Sequence, residues 1–192
     1  MNKAFLILPL IALVTLSFRT VEAPVWEFDQ NHSNLGFSVT NMGVTDIEGT
    51  FKISEATLVT KGDDFTDASA TLVADMSTVD TDNDMRDTHL KTADFFDVEK
   101  YPTSTFKSTS FRKTGDMKYE IKGDLTMHGI TKPVAFEASV KQAINPMDSM
   151  PIVGIKVKGI IKRLDFGISS KTPSNLLSDE IQLHANLKFN KK

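Results

Sequence analysis

The 192-residue sequence predicts an all-β fold: an antiparallel β-barrel of roughly eight strands, with one short helix capping or flanking it. Three observations lead there. Apolar and polar residues alternate with period two in segment after segment, the segments are joined by short polar turns, and helical spacing stands out between residues 82 and 101. Short connections favour an antiparallel meander, because parallel strands need long crossovers. One apolar face per strand leaves a two-sheet sandwich or a sheet closed on itself. Gly36, Gly49, Gly123 and Gly159 lie inside strands, where a tightly curved barrel needs bends or close backbone approach. The barrel is therefore preferred.

Taken in order, Trp26 and Phe28 share one face before the polar turn Asp29 to Ser33. Leu35, Phe37 and Val39 then point one way, and after the turn at Asn41-Met42-Gly43 the inward face passes to Gly49, Phe51 and Ile53. A loop at Lys61 to Asp64 leads to Ala68, Ala70, Leu72, Ala74 and Met76. Met85, His89, Ala93 and Phe96 fall on one helix face, with Thr81 or Asp82 as the cap and Asp84 in the first turn. That helix is expected to end before Pro102, which biases Tyr101 away from helical geometry.

Beyond it, Phe106 alternates with polar neighbours, and Tyr119, Ile121, Gly123, Leu125 and Met127 lie on one side. His128 to Pro133 reads as a turn into Val134, Phe136, Ala138 and Val140. After the two-proline loop Asn145 to Pro151 come Ile155, Val157, Gly159 and Ile161, set against Lys156, Lys158 and Lys162. Ile181, Leu183, Ala185, Leu187 and Phe189 close the series.

Residues 1–23 read as an export signal. Lys3 gives a positive start, and Phe5 to Leu16 is an apolar run too short for a membrane span, which needs ~20 residues. Val21-Glu22-Ala23 has the small-residue pattern of a cleavage site, so residues 24–192 form the expected mature domain, periplasmic or secreted, with no stable membrane span. Removing residues 1–23 takes away two cations (Lys3, Arg19) and one carboxylate (Glu22), so the formal charge of −3 becomes −4. No basic patch marks a nucleic-acid partner. The absence of cysteine excludes disulfides, thiol catalysis and a cysteine-ligated zinc.

No motif announces catalysis or a cofactor. There is no Gly-x-Ser-x-Gly elbow, and His32, His89, His128 and His184 are dispersed. Asp80, Asp82 and Asp84 mimic the start of a calcium loop, but Met85 stands where that loop needs glycine and Lys91 where it needs glutamate. No metal is expected. Phe95-Phe96 suits either a hydrophobic plug closing a core or the lid or floor of an apolar pocket. Two polar residues continue inward faces: Asn41 follows Phe37 and Val39, and Arg163 follows Gly159 and Ile161. A buried arginine must be paired, either with a carboxylate such as Asp165, with backbone at the barrel rim, or with a ligand.

Several ordered segments together resemble the YceI-like polyisoprenoid-binding proteins. They are Trp26 to Val39, Arg86-Asp87-Thr88-His89-Leu90, Phe95-Phe96-Asp97 with Tyr101-Pro102, and Gly123 to Val134. Arg163-Leu164-Asp165-Phe166-Gly167 and Leu177 to Ile181 complete the series, which spans essentially the whole mature chain. The resemblance implies a lipocalin-like barrel holding a long isoprenoid chain in its lumen. Many members carry histidine where this chain has Asn41.

On that reading the lumen is lined by Phe37, Val39, Phe51, Phe106, Leu125 and Phe136. Ile53, Ile161 and Leu183 share the inward parity, while Phe95, Phe96 and Phe166 come from the connections. Asn41 and Arg163 supply its polar groups. Outside residues 1–23 there are eleven phenylalanines against one tryptophan and two tyrosines, an aromatic set nearly free of hydroxyl and indole N–H groups. It suits a hydrocarbon ligand. The expected partner is a polyisoprenoid lipid or an isoprenoid quinone-like ligand, and a homodimer is left open. The expected role is a non-enzymatic carrier, store or buffer. The alternative is a hydrolase or isomerase acting on an amphipathic lipid in the same pocket.

Overall fold

The computed structural model describes residues 25–62 and 64–191; the expected export signal lies outside them. Nine strands form one antiparallel sheet: β1 (Val25–Phe28), β2 (Asn34–Asn41), β3 (Thr45–Val59), β4 (Ser69–Asp80), β5 (Thr103–Gly115), β6 (Lys118–Met127), β7 (Ile130–Ile144), β8 (Pro151–Lys162) and β9 (Leu177–Lys191). From β2 to β9 each strand pairs with the next in sequence, and β9 returns to pair with β2. The sheet thereby closes into a barrel, and closure leaves no long edge for another chain to extend.

β1 and β2 act as one broken stave, since both lie between β3 and β9. Eight staves therefore surround the lumen, as the alternation predicts. The break is a 3-10 turn at Gln30–His32 capped by Asp29, whose carboxylate accepts from the His32 amide. Asp29 also accepts a charged contact from Lys188 Nζ at 2.9 Å, and its own amide donates to the Lys188 carbonyl at 2.9 Å.

The hydrophobic interior is uneven along the barrel axis. At one end Trp26, Leu58, Phe65, Phe111, Val153 and Phe189 pack into a closed core. The loop between β3 and β4 seals it: Phe65 is fully buried 6.2 Å from Trp26, ring centre to ring centre, although its φ of +57° is costly for a bulky residue. The Tyr119 hydroxyl, donating to the Asp64 carbonyl, holds that loop down. Two smaller apolar clusters, one around Phe136 and Phe166 and one around Phe37 and Val39, line the other end.

Three local expectations are corrected. The helix α1 covers only Asp84–Leu90, and Asn83 caps it rather than Thr81 or Asp82. Asp82 has φ of +58°, outside the extended geometry a cap residue adopts, and Thr81 is buried and engaged with Asp87. After Leu90 the chain runs through turns, in which the Phe96 amide donates to the Leu90 carbonyl and the Tyr101 amide to the Asp97 carbonyl. Met85 is 84% exposed; the half-buried residues of α1 are Arg86, Asp87 and Leu90, and exposed His89 reaches the edge of the outer cavity beside Arg86 and Leu90. Finally, the turn expected over His128 to Pro133 shrinks to His128-Gly129, both with positive φ, and β7 pairs with β6 from Ile130 onward. Pro133 is tolerated because β8 pairs with β7 only from Glu137.

Asp29 gives a pH-dependent test. Partial burial opposes its ionisation, but hydrogen bonds from Lys188 and His32 and their charges outweigh that, holding its carboxyl at about 2. A carboxylate depressed in the folded state stabilises it above the unfolded value near 3.8, and that stability is lost as pH falls towards 2. Asp29→Asn should therefore cost about 2 kcal/mol at pH 7 and almost nothing at pH 2. Urea unfolding of both proteins at the two pH values measures it; an equal gap at both would assign the effect to packing.

Candidate functional site

The half of the barrel away from the closed core holds two apolar cavities, of about 130 and about 300 Å³. Phe51, Met127 and Leu183 line both and form a waist between them. The deeper cavity rests on Phe111, Ile121, Ile155 and Phe189, which belong to the closed core and make its floor. The outer one is bounded by β2, β8, β9, the turns after α1 and the segment after β8.

The lumen stays open because several of its rings lie along the wall. A Cβ built on Gly123 would stand 2.5 Å from the Phe106 ring and 2.3 Å from the Lys107 carbonyl oxygen. One built on Gly159 would stand 2.4 Å from the Phe136 ring, just beyond the first β7–β8 pair, Glu137 with Lys158. Glycine lets each ring settle flat over the neighbouring strand instead of projecting across the lumen. Phe106 and Phe136 then contact each other at 5.5 Å. At the waist, Phe37 meets Phe51 and Phe51 meets Phe96, each pair at 5.4 Å, the second edge-on.

Twelve of the fourteen expected lining residues face these cavities. Phe106, Leu125 and Phe136 line the deep one, while Phe37, Val39, Asn41, Phe95, Phe96, Ile161 and Arg163 line the outer one. Phe51 and Leu183 line both. The other two line neither cavity: Ile53 is packed in the closed core, and Phe166 is buried in the cluster with Leu125, Phe136 and Ile161. Sequence parity does not tell at which level along the axis a residue sits, so Ile53 shares a face with Phe51 without sharing its cavity. The outer cavity also has lining residues that alternation did not single out: Arg86, His89 and Leu90 from α1, and Ile168, Thr172, Leu176 and Leu177 after β8. The Arg86-to-Leu90 motif was the available signal for the first group.

Arg163 is the largest fully buried side chain, only 2% exposed. All its N–H groups donate to backbone carbonyls: Nε to Ser178, Nη1 to Ile168 and Ser169, and Nη2 to Thr172 and Leu177, at 2.6–3.1 Å. Asp165 is not among its partners; the rim backbone is. The guanidinium gathers the 167–178 segment around one point, and the Leu164 amide adds a bond to Asp179. From there the Ser169 amide donates to Asp94 and the Met42 amide to Leu176, so both covering segments and the β2–β3 turn are tied together at the mouth.

The chain is thus a blind-ended antiparallel barrel with a nearly all-apolar lumen and a partly covered mouth. The chain belongs to the YceI-like family: the YceI-like domain profile matches residues 26–189. It is 36% identical to protein YceI of Escherichia coli O6:H1 over 153 residues, covering 79% of this chain and 78% of that one. Against protein YceI of Salmonella arizonae it is 33% identical over 176 residues, or 89% and 90% of the two chains. Among solved structures, Burkholderia cenocepacia BcnA superposes with a TM-score of 0.76 at 24% identity, covering 84% of this chain and 99% of that one. A YceI protein of Campylobacter jejuni gives 0.70 at 29%, with 78% and 87% covered. A polyisoprenoid binding domain from Saccharophagus degradans gives 0.66 at 16%, with 89% and 100% covered.

Arg163 should be structural in its effect. Arg163→Leu leaves five carbonyls without their donor and should cost about 3 kcal/mol or more. Arg163→Lys, with three donors on a single nitrogen, should recover only part of it. Hydrogen exchange of the 167–178 amides should quicken in both variants; unchanged exchange there would show that packing alone holds the segment.

Proposed function

We propose that this protein binds a long-chain polyisoprenoid, or a similar amphipathic lipid, in its lumen and acts as a carrier, store or buffer outside the cytoplasm. The observation that carries this reading is the blind apolar lumen, floored by Phe111 and Phe189 and narrowed at Phe51, Met127 and Leu183. Each CH₂ moved from water into such a lining contributes ~0.8 kcal/mol, so a hydrocarbon tail binds there without a charged anchor. Family membership and the likeness to a polyisoprenoid binding domain support the same ligand class. The charged start at Lys3 and the apolar run after it support an extracytoplasmic location. On this reading the protein works by holding and releasing its ligand, not by transforming it.

Phe96 is the most informative position, because it packs against both clusters at the open end and meets Phe51 edge-on. Phe96→Asp sets a carboxylate against the tail, at a cost of several kcal/mol in whichever state keeps the charge dry. Organic extraction and mass spectrometry of the native protein should find a polyisoprenoid in the wild type, or uptake of an added one, at least tenfold reduced in Phe96→Asp. Phe96→Leu should only loosen binding, and circular dichroism should show all three proteins β-rich. A wild type that is empty and takes up no added polyprenyl lipid would overturn the proposal.

A further inference from the structure

One lip of the mouth is apolar on its outside as well as on its inside. Met42 is 65% exposed, Val44 86% and Leu176 44%. Scattered exposed apolar residues are ordinary, but contiguous ones mark a contact surface. These three stand together: the Met42 amide donates to the Leu176 carbonyl at 2.8 Å, and Asn41 pairs with Leu177 across the β2–β9 ladder. Met42 and Leu176 also line the outer cavity, so apolar surface runs from the lumen over the rim to the outside. Met42 and Gly43 both have positive φ, and the Val44 amide donates to the Asn41 carbonyl, a two-residue hairpin turn that favours Asn-Gly. A methionine at that first position is costly backbone, and its side chain gains no burial in return.

Charge distinguishes the same lip. From Asn41 to Thr45 and from Ser169 to Leu177 the only charged residue is Lys171, in a chain whose net charge is −3. On α1, by contrast, exposed Met85 follows exposed Asp84, with exposed Asp82 just before the helix. At the closed end, exposed Ile144 and Met147 share their loop with Asp148 and line neither cavity. A phospholipid bilayer offers hydrocarbon to Met42, Val44 and Leu176 and phosphate to Lys171, and this lip sets no carboxylate against those phosphates.

We propose that Met42, Val44, Leu176 and Lys171 form a lip that seats on an anionic phospholipid bilayer, so that the lumen fills and empties through the membrane face instead of through water. The inference rests on the lumen holding a lipid tail and adds the surface with which that lipid is exchanged. The acidic side of the mouth, at α1, stays in water.

Residues 24–192 contain every described strand and no cysteine, so a single probe can be placed at will. An environment-sensitive fluorophore is attached after Val44→Cys at the lip, or after Met147→Cys at the closed end. With vesicles of mixed phosphatidylcholine and phosphatidylglycerol, the lip probe should enter an apolar environment and the closed-end probe should not. Flotation with the same vesicles should fall about fivefold or more in Val44→Asp and about twofold or more in Lys171→Glu, and stay unchanged in Met147→Asp. Uptake of a polyprenyl lipid from neutral detergent should match the wild type in Val44→Asp, because Val44 lines neither cavity. If both probes respond alike, if neither responds, or if either lip variant floats like the wild type, the lip is overturned. A protein that fills from detergent but ignores vesicles overturns the lip and keeps the lumen reading. One that seats on vesicles through the lip but takes up no polyprenyl lipid keeps the lip and overturns the lumen reading.

Discussion

Every stave of this barrel pairs with its sequence neighbour except along one seam, where β9 must find β2 and β1. The contacts there span most of the chain: the Asn186 side chain donates to Asn34 across 152 residues, and the Lys188 amide to the Ser33 hydroxyl across 155. Asp29 reinforces the same line through Lys188. With the seam made, each inward side chain competes for one enclosed volume, and the fold is free to fill one end and leave the other hollow. Without it there is an open sheet with one apolar face in water, which is not a stable arrangement.

The division of that volume follows from a few residues. Phe65 and Trp26 fill the closed end as a core is normally filled. Towards the mouth, Gly123 and Gly159 let Phe106 and Phe136 lie against the wall, so aromatic surface is exposed to the lumen without blocking it. Arg163 then spends a buried charge on organising backbone instead of meeting a carboxylate. Removing a charge from water is expensive, and five short-range carbonyl dipoles offset that cost, with no carboxylate paired to Arg163 among the described residues. The result is a shaped mouth in a chain without a single cysteine.

Much of this was legible in the sequence, because period-two alternation is a direct record of which side faces the lumen. From Tyr119 to Met127 and from Ile181 to Phe189 the inward residues could be read one by one. What alternation cannot record is height along the axis, and so it placed Ile53 in the lumen when it lies in the packed core. The extent of α1 was misread for a different reason: Ala93 and Phe96 keep helical spacing, yet the chain leaves the helix at Leu90 and brings Phe96 inward through turns. For Arg163 the sequence offered rim backbone as one of three partners but could not choose it, since main-chain carbonyls leave no mark in the residue pattern. The motif from Arg86 to Leu90 was visible, but nothing local said that Arg86 and His89 would face a cavity.

The seam has a consequence for how the molecule is made. A polypeptide emerges from its N-terminus, so β1 and β2 exist long before β9, their partner at the far end of the chain. Hairpins β2–β3 through β7–β8 can form as they appear, but the ring cannot shut until residues near Lys191 arrive. Contacts this distant in sequence carry the largest loop-closure cost and slow folding. During that interval the apolar faces that will line the lumen are open to solvent and to one another, and the fifteen residues of β9 are the ones on which the whole enclosure waits.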